Sequence, residues 1–264
     1  IMSERILFEV PLTLTVAAPF MTKASDPGRW SMDAVIARVR HGPNKGKPYI
    51  AGTLVTGRLR EAWDHMRPLA AKARDFDPKA DEWLGAKSRD FRPARKRLVI
   101  PDMIAEVTAE SANSIQRIKI DRARGAVEKG AIQIIEQAAI SGSSLRFSGR
   151  VQLYAEAREA KTILRHLRAG LVWLTNLGAF RGVGFGRLRS VELGPLAPVA
   201  SESPPAVDPS GFGMTLALDR PLCVAGRHIA DNLFESAEVL PGSVLKGALA
   251  QTWAHRLGKS DTSV

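Results

Sequence analysis

The sequence predicts an α+β fold built around a repeated strand–turn–helix unit. Three observations carry that expectation. Residues 6–18 (ILFEVPLTLTVAA) and 145–155 (LRFSGRVQLYA) alternate apolar and polar side chains, the period of a half-buried strand. Residues 156–177 run Ile163, Leu167, Leu171 and Leu174 down one side, with Leu164, Val172 and Leu177 beside them, the period of an amphipathic helix that Gly178 is placed to end. Residues 49–63 (YIAGTLVTGRLREAW) return as residues 239–253 (VLPGSVLKGALAQTW) at an offset of 190, pairing Gly52 with Gly242, Gly57 with Gly247, Leu59 with Leu249 and Trp63 with Trp253. A recurrence of this kind points to two copies of one structural unit.

Composition narrows the partners. A chain of 264 residues with 45% hydrophobic and 25% charged residues has room for one large or two smaller globular domains. Its formal net charge of +11 favours a polyanion: nucleic acid first, an anionic membrane surface second. A basic protein with no such partner is the alternative. Cys223 is the only cysteine, which excludes an intrachain disulfide and a Cys-based zinc site. His41, His65, His166, His228 and His255 are scattered, without metal-ligand spacing. Residues 1–20 lack the pattern of a secretory signal, and no stretch approaches membrane-spanning length. The expectation is a cytoplasmic, reducing location with no membrane partner.

The first strand ends at Pro19, and a loop-rich segment follows, around a short apolar piece at residues 35–39. Residues 214–218, followed by Pro221, are the matching strand of copy two. From proline to repeat glycine the interval is 33 residues in copy one and 21 in copy two, so copy one carries a 12-residue insertion, a place for a functional loop. Thr53 and Ser243 read as helix N-caps. Leu54, Val55, Leu59, Ala62, Trp63 and Met66 fall on one side of the first helix, while Arg58, Arg60 and Glu61 lie away from it. A glycine before such a cap lets backbone approach a ligand, and free N–H groups at a helix start suit a phosphate. An ordinary capped amphipathic helix is the other reading.

Residues 67–97 read as hydrophilic and irregular, and residues 89–97 (RDFRPARKR) as a basic loop, solvated or RNA-contacting. Residues 98–100 suit a short strand. Residues 114–125 (SIQRIKIDRARG) have a basic texture, and residues 131–138 suit a strand or a short helix. Arg181, Gly182, Val183, Gly184, Phe185, Gly186 and Arg187 lead into a strand at residues 188–193. This is neither a P-loop nor a dinucleotide fingerprint, because no Gly-Lys-Ser/Thr follows and the order is helix, glycines, strand. It is either a structural hairpin or a flexible backbone, with arginines at both ends, able to lie against a phosphodiester chain. Residues 194–211, rich in Pro, Ser and Ala, read as a linker, and residues 212–264 as a second, partial unit.

Several of these pieces together resemble the RAMP superfamily, the RNA-binding backbone subunits of type III CRISPR effector complexes. They are GKPYIAGTLVTGRLR (residues 46–60), IKIDRARGAVEKGA (118–131), LRFSGRVQL (145–153), and the long helix with GVGFGRLRSVEL (182–193). They occur in the family's order between residues 6 and 193, and residues 239–250 repeat the first. The resemblance implies a ferredoxin-like (RRM-like) RAMP domain with loop insertions over residues 1–193, then the partial RAMP unit. It implies guide RNA, complementary target RNA and other CRISPR effector subunits as partners. Sequence-independent contacts with the guide would lie at Gly52, Thr53, Arg58 and Arg60, at Arg181, Gly182, Gly184, Gly186 and Arg187, and at Ser243 and Lys246. Ala51 stands where the family has proline, and Thr56 stands opposite Lys246, so copy one is expected to hold phosphate less tightly. Some members cut target RNA with an aspartate in the loop before the turn. Asp33 matches that place best and Asp26 less well; the implied chemistry is one carboxylate holding Mg²⁺ while the RNA 2′-OH attacks. His41, in the same loop, is the acid–base candidate. Fused single-chain relatives carry a Cys-rich zinc site, which this chain lacks, so no zinc is expected. A non-catalytic RNA scaffold, an endoribonuclease that processes CRISPR precursor RNA and a binder of acidic proteins remain as alternatives.

Overall fold

The structure, a computed structural model, describes residues 5–24, 32–70, 76–86, 96–107, 113–140, 142–200, 213–216, 222–230 and 233–256. The chain divides into two units, Ile6–Val199 and one made chiefly of Ala200–Val264. In order, the first holds β1 (Ile6–Ala17), β2 (Tyr49–Ile50), α1 (Gly52–Leu69), α2 (Ala80–Leu84), β3 (Leu98–Val99), β4 (Met103–Ala105), β5 (Asn113–Asp121), β6 (Ala126–Gln137), β7 (Ser144–Ala155), α3 (Ala157–Trp173), a 3-10 turn at Arg181–Val183, β8 (Leu188–Leu193) and β9 (Ala197–Pro198). The second holds β10 (Ala225–Ala230), β11 (Leu233–Ser236) and α4 (Gly242–Arg256). The fold is α+β, with every strand pairing antiparallel.

The main sheet runs β2-β4-β7-β1-β8, with β3 added to β7 and β9 added to β1. β1 pairs with β7 from Ile6↔Ala155 to Ala17↔Ser144. Alternation fixes that register: Phe8, Val10, Leu12, Leu14 and Val16 are buried, as are Leu145, Phe147, Val151, Leu153 and Ala155, and a one-residue slip would turn each set outward. α1 and α3 cover this apolar face. α1 buries Val55, Leu59, Ala62 and Trp63; α3 buries Ala160, Ile163, Leu167 and Leu171, with Gly170 where the two helices meet. A Cβ at Gly170 would stand 2.4 Å from Leu59 Cδ1, so a larger residue would push the helices apart. The indole N–H of Trp63 donates to the His166 carbonyl at 3.0 Å, and its ring meets Trp83 of α2 edge-on. The opposite face over β1, β7 and β8 is polar, with Thr13 bonded to Ser148 and Ser190 to Thr15.

Several expectations need correction. Residues 67–97 are not irregular where described: α1 runs on to Leu69 with Pro68 in its last turn, and α2 buries Ala80, Trp83 and Leu84. Arg97 does not belong to a basic loop. It is buried, ion-paired with Glu82 and Glu159, and its Nε donates to the Tyr154 carbonyl, so it ties α2, β7 and α3 together. Residues 87–95 lie outside the described residues. Val172 projects outward rather than into the core. Residues 131–138 are strand, as β6 up to Gln137. Residues 214–216 form no strand; residues 217–218 lie outside the described residues. The predicted linker begins inside the first unit, because Gly194 N–H donates to the Pro11 carbonyl and β9 pairs with Phe8 and Glu9.

Burial separates the two copies of the repeat. Trp63 is 0% exposed and Trp253 is 64% exposed. Trp63→Ala should therefore lower unfolding stability by about 3–5 kcal/mol in urea titrations, and Trp253→Ala should stay within about 0.5 kcal/mol of the parent. Equal losses would show that the copies are packed alike.

Candidate nucleic-acid interface

The start of α1 is occupied by the protein itself. The helix begins at Gly52 with Ala51 as its cap, one residue earlier than a Thr53 cap would place it; Thr53 is exposed within the first turn. The Gly52 N–H donates to Asp102 Oδ1 at 2.8 Å, so a carboxylate already stands where a phosphate was expected. Gly52 is required for packing rather than for a ligand: a Cβ there would lie 2.0 Å from the Ile100 carbonyl oxygen and 2.6 Å from that of Pro101. Thr56 turns back into the helix and donates to the Gly52 carbonyl. In the second unit α4 likewise begins at Gly242, so Ser243 is not its cap, but there a Cβ on the glycine would meet nothing within 4 Å. Ser243 and Lys246 are exposed.

The α1 arginines are also committed. Arg58 pairs with Glu61 one turn on. Arg60 pairs with Asp81 and donates to the Gly85 carbonyl, fastening α2 to α1. Neither guanidinium is open for a phosphate in the way the sequence suggested. A cleft of about 470 Å³ beside them is lined by Arg60, Arg67 and Lys79 but also by Asp64, Asp77, Asp81 and Glu82, so its charges compensate.

The glycine loop differs. α3 ends at Trp173, and the chain turns through Gly178 and Phe180, whose φ of 58° is left-handed, into Arg181–Val183. Gly186, at φ +67°, is pressed against the Leu177 carbonyl oxygen, where a Cβ would lie 1.8 Å away. Its N–H donates to the Pro19 carbonyl, and Leu177 N–H donates back to the Gly186 carbonyl. Asn176 Nδ2 donates to the Phe185 carbonyl. The base of the loop is thus fixed, while Arg181, Gly182, Gly184 and Arg187 are exposed, and among the described residues neither arginine makes an ion pair. The Arg181 charge reaches α1. The Glu61 carboxyl is held below its ordinary value of 4.5 first by the hydrogen bond from Arg58; burial opposes this, and the charges of Arg58, Arg181 and His65 add to it.

The β5–β6 hairpin brings cations that the sequence did not single out as candidates. Arg117 on β5 lies over the Phe180 ring at 5.2 Å, a cation–π contact at the foot of the glycine loop. Beyond it the hairpin exposes Lys119, Arg122, Arg124 and Lys129. Lys119 pairs with Glu128 and Arg124 with Asp121, whereas Arg122 and Lys129 make no ion pair among the described residues. The basic texture of residues 114–125 was the available signal.

Asp33 is fastened to this hairpin. Its N–H donates to the Ile134 carbonyl and its Oδ2 accepts from Ile134 N–H at 2.6 Å, closing a ring with β6. Next to it Ala34 bridges Ile135, and buried Glu136 accepts from Ile36 N–H and pairs with Arg38. His41 lies in the exposed turn closed by Gly46 N–H on the Val39 carbonyl, and Asp33's bonds run to β6, not to His41. Asp26 lies outside the described residues. One carboxylate with an oxygen committed to a backbone N–H does not hold Mg²⁺ unaided, and no cluster of three or more His, Cys, Asp or Glu side chains suited to a metal occurs among the described residues. A cation there would depend on oxygens brought by RNA.

No helix among the described residues is long and apolar enough to cross a membrane. No protein-family model matches the chain, and no curated protein matches it.

Two outcomes test this geometry. Gly52→Ala should destabilise by about 1–3 kcal/mol, because backbone oxygens cannot yield, while Gly242→Ala should be neutral or stabilise by up to about 1 kcal/mol; thermal melts of both variants decide it. Glu61, followed by NMR, should titrate below 4.5, and Arg58→Gln should move it upward. A depressed carboxyl pKa makes its contribution present above the unfolded value and lost as pH falls through the folded one.

Proposed function

We propose that this chain is a RAMP-type, RNA-binding subunit of a CRISPR effector complex, holding the sugar–phosphate chain of a guide RNA with the glycine loop and the foot of the β5–β6 hairpin. The observation that carries this reading is Arg117 over Phe180, which brings a half-buried cation to the foot of a loop whose Arg181 and Arg187 are exposed. Exposed cations without acid partners and a glycine backbone suit phosphodiester contacts, which carry no base information. The element order supports the family as well. Taking β1, α1, β4, β7, α3 and β8, the chain runs βαββαβ, and these strands lie in the order β4-β7-β1-β8, which is how a ferredoxin-like domain is arranged. An RRM-like use of the sheet face is not supported. Mid-sheet, that face carries Thr13, Ser148 and Ser190 and the compensated ion pairs of Arg146 with Glu106 and Glu192, rather than a pair of stacking aromatics.

Purified chain should bind labelled single-stranded RNA with log K falling linearly against log salt, with a slope of about −2 or steeper, for three or more phosphates. Arg117→Gln with Arg181→Gln and Arg187→Gln should make the slope shallower by about 2. No affinity at low salt, or an unchanged slope, rejects the reading, and binding to an acidic protein instead of RNA favours the other class.

A second reading, cleavage of target RNA, is favoured by Asp33 being exposed and held to the same hairpin. Asp33→Asn keeps an oxygen for Ile134 N–H but removes the charge. It should melt like the parent, bind guide RNA and fail to cut. Cutting that persists in it removes Asp33 from the chemistry, and metal-independent cutting of precursor RNA alone would point to processing, with His41 the residue to change.

A further inference from the structure

α3 buries one side and leaves the other to solvent, and the exposed side is unusual in charge. Arg158, Lys161, Arg165 and Arg168 are all exposed. Their spacing of three, four and three residues lines them along one face, about one per turn, over roughly 15 Å of helix. The helix has one acid, Glu159, and it is turned to Arg97. Among the described residues Arg158, Lys161 and Arg168 make no ion pair with a carboxylate.

This stripe works against the helix that carries it. Like charges three and four residues apart repel between Arg158 and Arg168. Arg158 also sits in the first turn, where the helix dipole disfavours cations. Core packing through Ile163, Leu167 and Leu171 holds the helix against this repulsion. A partner that brings regularly spaced negative charge relieves both penalties at once.

We infer that the exposed face of α3 is a second nucleic-acid-binding surface, made of residues other than those of the glycine loop and hairpin, in which Arg158, Lys161, Arg165 and Arg168 contact consecutive phosphates of a single strand. This rests on the RNA-binding reading above. Contacts of this kind read phosphates and not bases, so the surface tolerates any sequence and weakens steeply with salt. Val172, 64% exposed one turn beyond Arg168, ends the charged stripe and limits its length.

The test uses the full chain and a fluorescein-labelled polyuridine strand of about 20 nucleotides, with anisotropy titrations across a salt series. Arg158→Gln, Lys161→Gln and Arg168→Gln combined should make the slope of log K against log salt shallower by about 2, the loss of three single-strand phosphate contacts. The melting temperature should hold or rise, because repulsion is removed. Arg158→Lys with Arg168→Lys should keep the parental slope. A triple variant with the parental slope, while the parent binds RNA, overturns this inference alone and leaves the glycine-loop reading intact. A parent with no salt-dependent affinity overturns both.

Discussion

Pro11 sits in the middle of the strand on which the whole sheet is built, and the edge beyond it is arranged around that residue. β1 pairs along its length with β7, so Pro11 faces Arg150 there. On its other side the Pro11 carbonyl accepts from Gly194. In a pleated strand a residue's N and O point the same way, so the N–H that proline lacks belongs to that side. There the neighbour is interrupted: β8 stops at Leu193 and β9 begins at Ala197. Gly194 makes the crossing, with its Cβ position only 3.0 Å from the proline ring. One missing donor thus coincides with the break between β8 and β9, and the pairing on either side of it makes edge strand of a segment that looks like linker by composition.

The two copies of the repeat show how far local sequence reaches. Both make a helix from a glycine, a hydroxyl residue and a Leu–Trp face. What becomes of that face depends on residues far away. Leu59 and Trp63 are closed over by α3, through Gly170 and the His166 carbonyl. Leu249 is 51% exposed, and among the described residues of its unit no second helix lies on it. The helix starts differ for the same reason. Ile100, Pro101 and Asp102 crowd and cap the first, and Gly242 has open space. A motif therefore specifies an element, while its chemistry is set by what the rest of the chain brings to it.

That distinction decides what was legible. β1, β7 and α3 were readable because each buries one face at its own period, and β8 because Leu188, Val191 and Leu193 are apolar and pack against the core while half-buried. α2 was not, since five residues span little more than one turn, too short to show a period even though Ala80, Trp83 and Leu84 are buried. β5 hid its period because both Ile118 and Ile120 are exposed and a bulge lies between them. At the site the glycine loop was visible as composition, and its fixed base was not, because Pro19, Leu177 and Asn176 supply the bonds. Arg58 and Arg60 looked available because charge was read without its partners. Glu61, three residues on, was a legible warning; Asp81, 21 residues on, was not.

Net charge is thus a poor guide to where a polyanion binds, and the placement of acids is a better one. The +11 of this chain is uneven. Acids neutralise the cations of α1, of the cleft beside it and of the open sheet face, where Arg150 pairs with Glu9 and Arg146 with Glu106 and Glu192. Among the described residues, Arg181 and Arg187 of the glycine loop, Arg122 and Lys129 of the hairpin, and Arg158, Lys161 and Arg168 of α3 make no ion pair. An ion pair of exposed groups contributes little stability but cancels the local field. Where no acid stands, the field extends about a Debye length into solvent and draws anions in. The like charges of Arg158, Lys161 and Arg168 work against α3, and the phosphate contacts proposed above would offset that repulsion.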